Sequence, residues 1–153
     1  MSDTPKNTRV RWYDVAHLNT GCLREANVAR LPKFKNRKGE PAHSEPDGSD
    51  WALSAWANAV CGELGEAANL IKKIERGDFT LDEKREELGK ELADVLTYLD
   101  ILAFRAGIDL GRATIDKFNE VSKRVGAAVY LVGQEVYVDH PAAYHYLGIK
   151  KDE

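Results

Sequence analysis

The sequence predicts an all-α protein, an antiparallel bundle of about four helices with a short irregular or β-hairpin C-terminal tail. Two long segments, residues 50–76 and 81–105, carry apolar residues at helical spacing, and Gly77 and Gly107 follow them. Because about four residues connect these segments, we expect them to be antiparallel neighbours. A chain of 153 residues is long enough to form one domain with a buried core.

Two further helices flank this pair. Apolar residues at helical spacing predict the first helix over 14–31: Val15, Leu18, Cys22, Ala26 and Ala29. Residues 32–50 contain three of the five prolines and form a loop. Its segment 33–38 places four cations around Phe34. This basic segment is either a solvated loop or a mobile flap that contacts an anionic ligand.

Capping residues mark the helix ends. Ser49 or Asp50 is expected to cap the second helix, and Thr80 with Glu83 has the form of a capping box before the third. Asp109 is expected to cap a fourth helix that ends near Gly126, with an apolar side formed by Ile115, Phe118 and Val125.

We expect a single domain over 1–153. Its core spans about 50–126, an N-terminal helix and basic loop span 11–49, and a tail spans 127–153. Two short β-rich runs in the tail, 129–132 and 136–138, flank Gly133 and Gln134 and suggest a hairpin.

Composition excludes several classes of function. The net charge is −3, which provides no bulk attraction for nucleic acid or an anionic membrane. The chain has no long apolar segment and no apolar stretch near its start of the kind found in signal peptides. Cys22 and Cys61 have no metal-binding or redox spacing. We therefore expect a cytoplasmic protein without a membrane or nucleic-acid partner.

Two acidic pairs stand out in the two long helices. Glu63 and Glu66, like Glu91 and Asp94, are three residues apart, so each pair projects from one side of its helix. The first member of each pair lies within an apolar stripe that should face the core. Because a buried carboxylate requires a partner, two such pairs on adjacent helices suggest one shared cation.

The ligand types narrow the choice of metal. A di-iron bundle requires Glu-x-x-His. Here the residues three positions after Glu63 and Glu91 are Glu66 and Asp94, and all four histidines lie outside these helices. Four carboxylates suit Mg²⁺ or Mn²⁺. Magnesium sites commonly bind substrate phosphates, which points to the hydrolysis of phosphate esters or anhydrides. A solvated helix face remains the alternative for either pair alone, because Glu-x-x-Glu is common on helices.

The motifs resemble those of MazG-like nucleotide pyrophosphohydrolases. Residues 56–73 are similar to the first motif of that family and residues 91–95 to the second, with 24 residues between Glu66 and Glu91. Residues 117–124 are similar to its third element, and 27–34 resemble compact, stand-alone members from phage and bacteria. The resemblance covers roughly residues 50–126.

The resemblance implies an all-α bundle that forms a homodimer or homotetramer. It also implies Mg²⁺-dependent hydrolysis of nucleoside triphosphates, often deoxynucleotides, between the α and β phosphates, giving the monophosphate and pyrophosphate. The implied metal ligands are Glu63, Glu66, Glu91 and Asp94. We assign catalysis to Glu66, as general base, and to Glu63. We assign substrate binding to five residues: Lys117, Asn119, Arg124, Lys73 and Trp56.

A second class of function remains open. The alternative is a protein without catalytic activity: a metal-stabilised helical oligomer or a nucleotide-sensing regulator that retains the acidic site. We expect self-association for the enzyme and for the non-catalytic protein alike, since a second copy of the chain would cover the apolar surface around Trp51, Trp56 and Tyr98. Release of pyrophosphate from nucleoside triphosphates distinguishes the two.

Overall fold

The computed structural model describes residues 18–127 and residue 131. Within them lie four α-helices and one 3-10 turn at Leu31–Lys33: α1, Thr20–Arg30; α2, Leu53–Glu75; α3, Leu81–Arg105; α4, Leu110–Arg124. Helices α2 and α3 form a closely packed hairpin, α1 lies mainly on α3, and α4 touches α1 and α3. The all-α prediction is confirmed. The predicted tail hairpin lies outside the described residues except for Leu131.

Helix α1 begins later than the pattern predicted. Asn19 is extended, and its side-chain oxygen accepts a hydrogen bond of 2.8 Å from the Cys22 backbone N–H, so the helix starts at Thr20. Positions 14–17 lie outside the described residues. The predicted inner face is also partly wrong, because Leu18 is 61% exposed while Asn27 and Leu31 are buried. A polar network, described below, draws Asn27 inward in place of an apolar side chain.

Most of the other predicted helix ends are confirmed. Gly77 follows α2 with a φ of 86°, Thr80 and Glu83 form the capping box of α3, and Asp109 caps α4 by accepting from the Arg112 backbone N–H. The predicted cap of α2 is wrong. Ala52 occupies that position without a side-chain bond.

Asp50 does not cap α2 because its carboxylate is used within the preceding loop. It accepts from the Ser44 backbone N–H at 3.1 Å, and its other oxygen lies 3.3 Å from Nδ1 of His43. The second expected candidate, Ser49, instead donates its backbone N–H to Asp47 at 3.0 Å. These bonds fold the loop back on itself before α2 starts.

The core lies where α1, the loop, α2 and α3 meet. Its buried centre consists of Leu31, Trp56, Ile101 and Phe104. The loop packs its backbone on the indole: Trp56 donates Nε1–H to the Gly48 carbonyl at 3.3 Å, and a Cβ at position 48 would lie 2.7 Å from the ring. Glycine is required there for two reasons: a Cβ would clash with the ring, and the backbone φ of 71° is one that other residues rarely adopt.

A buried carboxylate joins α1 to α3. Asp100 is 1% exposed and accepts from Arg24 Nε at 2.9 Å and from Asn27 Nδ2 at 3.0 Å. Arg24 also donates to the carbonyls of Asp100 and Ile108, at 3.2 and 3.4 Å. The charge of Asp100 is therefore paired and hydrogen-bonded inside the protein.

Apolar side chains also remain on the outside of the α2–α3 hairpin. Each of these is more than a third exposed: Leu64 and Ile71 on α2, and Leu92, Leu96 and Leu99 on α3. Their spacing places them along one side of each helix. None of the described helices combines the length and apolar character needed to cross a membrane.

Candidate metal centre

Helix α2 carries the first acidic pair on the edge of its buried side. Trp56, Ala67 and Leu70 are the buried residues of α2, and Glu63 lies four residues before Ala67 and seven before Leu70. Glu63 is accordingly half-buried, whereas Glu66 is exposed. The pair thus extends from the packed side of the helix toward solvent.

Helix α3 presents the second pair in the same manner. Glu91 is half-buried and Asp94 is exposed, while Val95 and Tyr98 continue the half-buried side of the helix. Because α2 and α3 pack as antiparallel neighbours, the two half-buried glutamates face each other across the hairpin.

Three of the four predicted ligands meet at one point. Carboxylate oxygens of Glu63, Glu66 and Glu91 lie within 4.8 Å of one another. Asp94 lies outside this group but is close enough to act on it. Burial raises the pKa of Glu63, and the neighbouring charges of Asp94, Glu66 and Glu91 raise it further.

No basic side chain neutralises this charge within residues 18–127 and 131, where none of the four carboxylates has a Lys, Arg or His nitrogen within 4.0 Å. Carboxylate oxygens from two helices, without imidazole or thiolate, are the donor set of a hard divalent cation. The residues therefore fit Mg²⁺ or Mn²⁺, which Glu63, Glu66 and Glu91 would hold with Asp94 beside them.

Tyr98 belongs to the surroundings of this centre, although its sequence pattern indicated only a core residue. Burial raises the pKa of its phenol, followed by the charges of Glu63 and Asp94, while Arg30 acts in the opposite direction. Its spacing of four residues from Asp94 was the available signal, because that spacing places both side chains on one side of α3. Arg30 had no such signal, since it comes from another helix.

Two predicted substrate-binding residues on α2 lie away from the acids. Trp56 is 1% exposed, stacks on His43 with ring centroids 5.2 Å apart, and uses its only donor on Gly48. Its role in substrate binding remains a prediction. Lys73 is half-buried near the end of α2, about 15 Å along the helix from Glu63. Its charge acts on Asp78.

The other three predicted contacts are on α4, which touches α3 but, among the described residues, has no contact with α2, the helix of Glu63 and Glu66. Lys117 pairs with Glu120 at 2.7 Å, and Arg124 is exposed in the last turn. Asn119 uses its amide on Leu131, donating to its carbonyl and accepting from its N–H, both at 2.8 Å. Their roles in substrate binding remain predictions.

An open, largely apolar groove of about 510 Å³ follows α4. Its lining includes Lys117 but none of the four acids: Ala113, Thr114, Lys117, Phe118, Val121, Ser122 and Val125. Phe118 and Val125, which belong to the predicted apolar side of this helix, are 41% and 65% exposed and line the groove. The reason is that α4 touches only α1 and α3, so part of its apolar side has no neighbour among the described residues.

Comparison with known proteins agrees with this geometry. The chain is 34% identical over 74 residues to the Gene 37 protein of Mycobacterium phage L5, a match that covers 47% of this chain and 65% of that protein. No solved structure matches the chain significantly. Residues 53–126, which contain all four acids, match the family described as the MazG nucleotide pyrophosphohydrolase domain. This segment of the chain is therefore similar to the MazG nucleotide pyrophosphohydrolase domain.

Proposed function

We propose that the chain is a Mg²⁺-dependent nucleoside triphosphate pyrophosphohydrolase that converts (d)NTPs to the monophosphate and pyrophosphate. The observation that carries the proposal is the cluster of Glu63, Glu66 and Glu91, whose oxygens lie within 4.8 Å inside the segment that is similar to the MazG domain. Such an enzyme would serve control of the nucleotide pool or removal of unwanted nucleotides.

The acidic side chains have distinct positions in the proposed reaction. Glu63, Glu91 and Glu66 would bind the metal from both helices, with Asp94 completing the set. When bound, Mg²⁺ supplies positive charge for the triphosphate and makes nearby water more acidic. Glu66 is exposed, so we assign to it the acceptance of the proton of the attacking water.

The proposed bond is the one between the α and β phosphates. The chain has no Gly-x-x-x-x-Gly-Lys-Ser/Thr loop, which hydrolases of the γ phosphate often use. We assign stabilisation of the departing pyrophosphate to Lys117, Arg124 and the basic segment 33–38. Since α4 does not touch α2, the two α4 residues would have to reach the substrate from a distance, or from a second copy of the chain.

Mass spectrometry of the products tests the bond. The protein is incubated in ¹⁸O-water with Mg²⁺ and a panel of NTPs and dNTPs. We expect the label on the nucleoside monophosphate and equal amounts of monophosphate and pyrophosphate. Label in free orthophosphate, with a diphosphate as the nucleotide product, would reject the proposal. Binding of Mg²⁺ without any nucleotide hydrolysis would favour the regulator or structural oligomer.

We also propose that the chain forms a homodimer or homotetramer. Trp56, expected to need cover from another chain, is already buried, so the support comes from other residues. The exposed apolar side chains of α2 and α3 offer surface that a second copy could cover, including Leu64 at 52% and Leu92 at 50% exposure. Light scattering at micromolar concentration tests the proposal, and a monomeric mass would contradict it.

A further inference from the structure

Arg30 lies on a helix that carries none of the acids, close enough to Tyr98 for its charge to act on that phenol. Asn27, one turn before it on α1, donates to the Thr97 carbonyl at 3.5 Å. Thr97 is three residues after Asp94 and adjacent to Tyr98 on α3. The last turn of α1 therefore lies beside the turn of α3 that continues from the acids. The opposing effects of Arg30 and the acids on the pKa of Tyr98 agree with this arrangement.

Two contacts hold the Arg30 guanidinium in place. Its Nη2 donates to Asn27 Oδ1 at 3.3 Å, and its central carbon lies 5.5 Å from the centre of the Phe34 ring. The orientation of the Asn27 amide is determined by Asp100, because a carboxylate only accepts hydrogen bonds and so receives the NH₂ group at 3.0 Å. The amide oxygen of Asn27 must then face Arg30.

Most arginines of the described residues are paired with an aspartate: Arg24, Arg76, Arg85, Arg105 and Arg112. Arg30, like Arg37 and Arg124, is not. Arg30 has no carboxylate within 4.0 Å among the residues that the structure describes, and it is exposed. A guanidinium has five N–H donors in a planar fork. One is used on Asn27, so most of the fork is free to bind an anion.

We propose that Arg30 binds the phosphate chain of the substrate at the α1 side of the acidic cluster, with Asn27 and Phe34 as its positioning residues. The inference rests on the proposed function. A planar guanidinium matches two phosphate oxygens, and its charge opposes the acids that hold the metal. The basic segment 33–38 starts three residues later and places further cations at the same end of α1.

Three substitutions at Arg30 separate charge from packing. Arg30→Met keeps an apolar stem on Phe34 without the charge, Arg30→Ala removes both, and Arg30→Lys keeps the charge without the fork. Arg76→Met is the matched control, because Arg76 is an exposed arginine paired with Asp78 about 20 Å along α2 from Glu63.

We expect Arg30→Met and Arg30→Ala to raise KM about 10- to 100-fold, the effect of losing a charged hydrogen bond, with kcat changed less than about threefold. Arg30→Lys should recover part of the loss, and Arg76→Met should leave KM unchanged. A merely structural role would lower the melting temperature in Arg30→Ala and leave KM at the wild-type value, which would overturn the inference.

A binding measurement keeps this inference separate from the proposed function. Calorimetry with Mg²⁺ and non-hydrolysable α,β-methylene dNTPs should show the same affinity loss in Arg30→Met for every base, because the contact is to phosphate. A loss that depends on the base would overturn the inference. Arg30-dependent binding without pyrophosphate release from a true dNTP would contradict the proposed function alone.

Discussion

Asp100 is buried and Glu63 is half-buried, and the two carboxylates differ in the groups that surround them. Asp100 is 1% exposed and is met by Arg24 and Asn27, so its charge is balanced by the protein itself. Glu63 is half-buried, and the charges that act on it are those of other acids. A buried charge that is paired internally holds helices together. A cluster of like charges without an internal partner is arranged for a cation from solution.

The largest effect is expected where the charge has no internal partner. Glu63→Gln and Glu91→Gln should each reduce Mg²⁺-dependent hydrolysis by at least about a hundredfold, because even residues that only support metal ligands are commonly worth 10- to 100-fold. Pyrophosphate release measures the activity, and circular dichroism should show the helices intact. Glu86→Gln is the control, since Glu86 is exposed and paired with Lys90. Full activity in Glu63→Gln would show that the charge of Glu63 is not needed for hydrolysis.

The second effect concerns stability rather than activity. Asp100→Ala leaves Arg24 and Asn27 without their acceptor, and we expect a loss of about 2–4 kcal/mol in the free energy of unfolding. Urea unfolding measures it. Asp116→Ala breaks an exposed pair with Arg112 and should cost less than about 1 kcal/mol. Equal effects of the two substitutions would show that burial of the Asp100 network is not what stabilises α1.

The third effect is a pH dependence of stability, with a sign opposite to that of a carboxylate whose pKa is lowered on folding. The pKa of Glu63 is raised in the folded protein by burial and by neighbouring acids, so the metal-free folded state binds its proton more tightly than the unfolded chain. Stability in EDTA should therefore decrease as the pH rises from the ordinary glutamate pKa through the raised one. Denaturation curves recorded between about pH 4 and pH 7 measure this trend, which adds to the pH dependence of stability contributed by the other titrating groups.

Glu63→Gln serves as the reference for that titration, because it lacks the titrating group. The difference in stability between wild type and variant should grow in favour of the variant as the pH rises, and saturating Mg²⁺ should reverse it by binding only the folded wild type. A difference that does not change with pH would show that Glu63 has its ordinary pKa.

The smallest effect involves a carboxylate that has a local partner and lies in solvent. Glu83 accepts from the Thr80 backbone N–H at 2.7 Å, and the Thr80 hydroxyl accepts from the Glu83 N–H at 3.3 Å. The Thr80 hydroxyl also donates to the Glu83 carboxylate at 2.8 Å, and the two bonds that this carboxylate accepts from Thr80 lower the pKa of Glu83. Thr80→Ala should destabilise the protein by about 1 kcal/mol through loss of the helix cap, with activity unchanged. A larger loss in thermal denaturation than that of Asp100→Ala would invert the order proposed above.

Local chemistry explains which parts of the fold were predictable. The ends of α3 and α4 and the acidic pairs follow from residues close in sequence, such as Thr80 with Glu83 and Glu63 with Glu66. Helical periodicity is a local property, so it indicated which acids share a side of each helix. The short connection between α2 and α3 predicts that the two helices are neighbours, which explains why Glu91 lies close to Glu63 and Glu66.

The remaining features depend on contacts between residues far apart in sequence. The burial of Asn27 requires Asp100, 73 positions away, and the pattern around Asn27 alone gives no sign of it. Asp50 was expected to cap α2 but is held by Ser44 and His43 through the folding of the loop. The loop at Gly48 covers the ring of Trp56, a contact that the pattern around Trp56 alone does not indicate.

The separation of Asp100 from Arg24 and Asn27 along the chain also has a kinetic consequence. Their contacts close loops of more than 70 residues, whereas the α2–α3 hairpin closes through a short turn. Since short loops cost less entropy to close, we expect the hairpin to form in the folding transition state and α1 to dock afterwards. The acids would then be crowded together before α1 arrives, so Mg²⁺ should accelerate folding more than it slows unfolding. Stopped-flow measurements with and without the metal would show which rate changes.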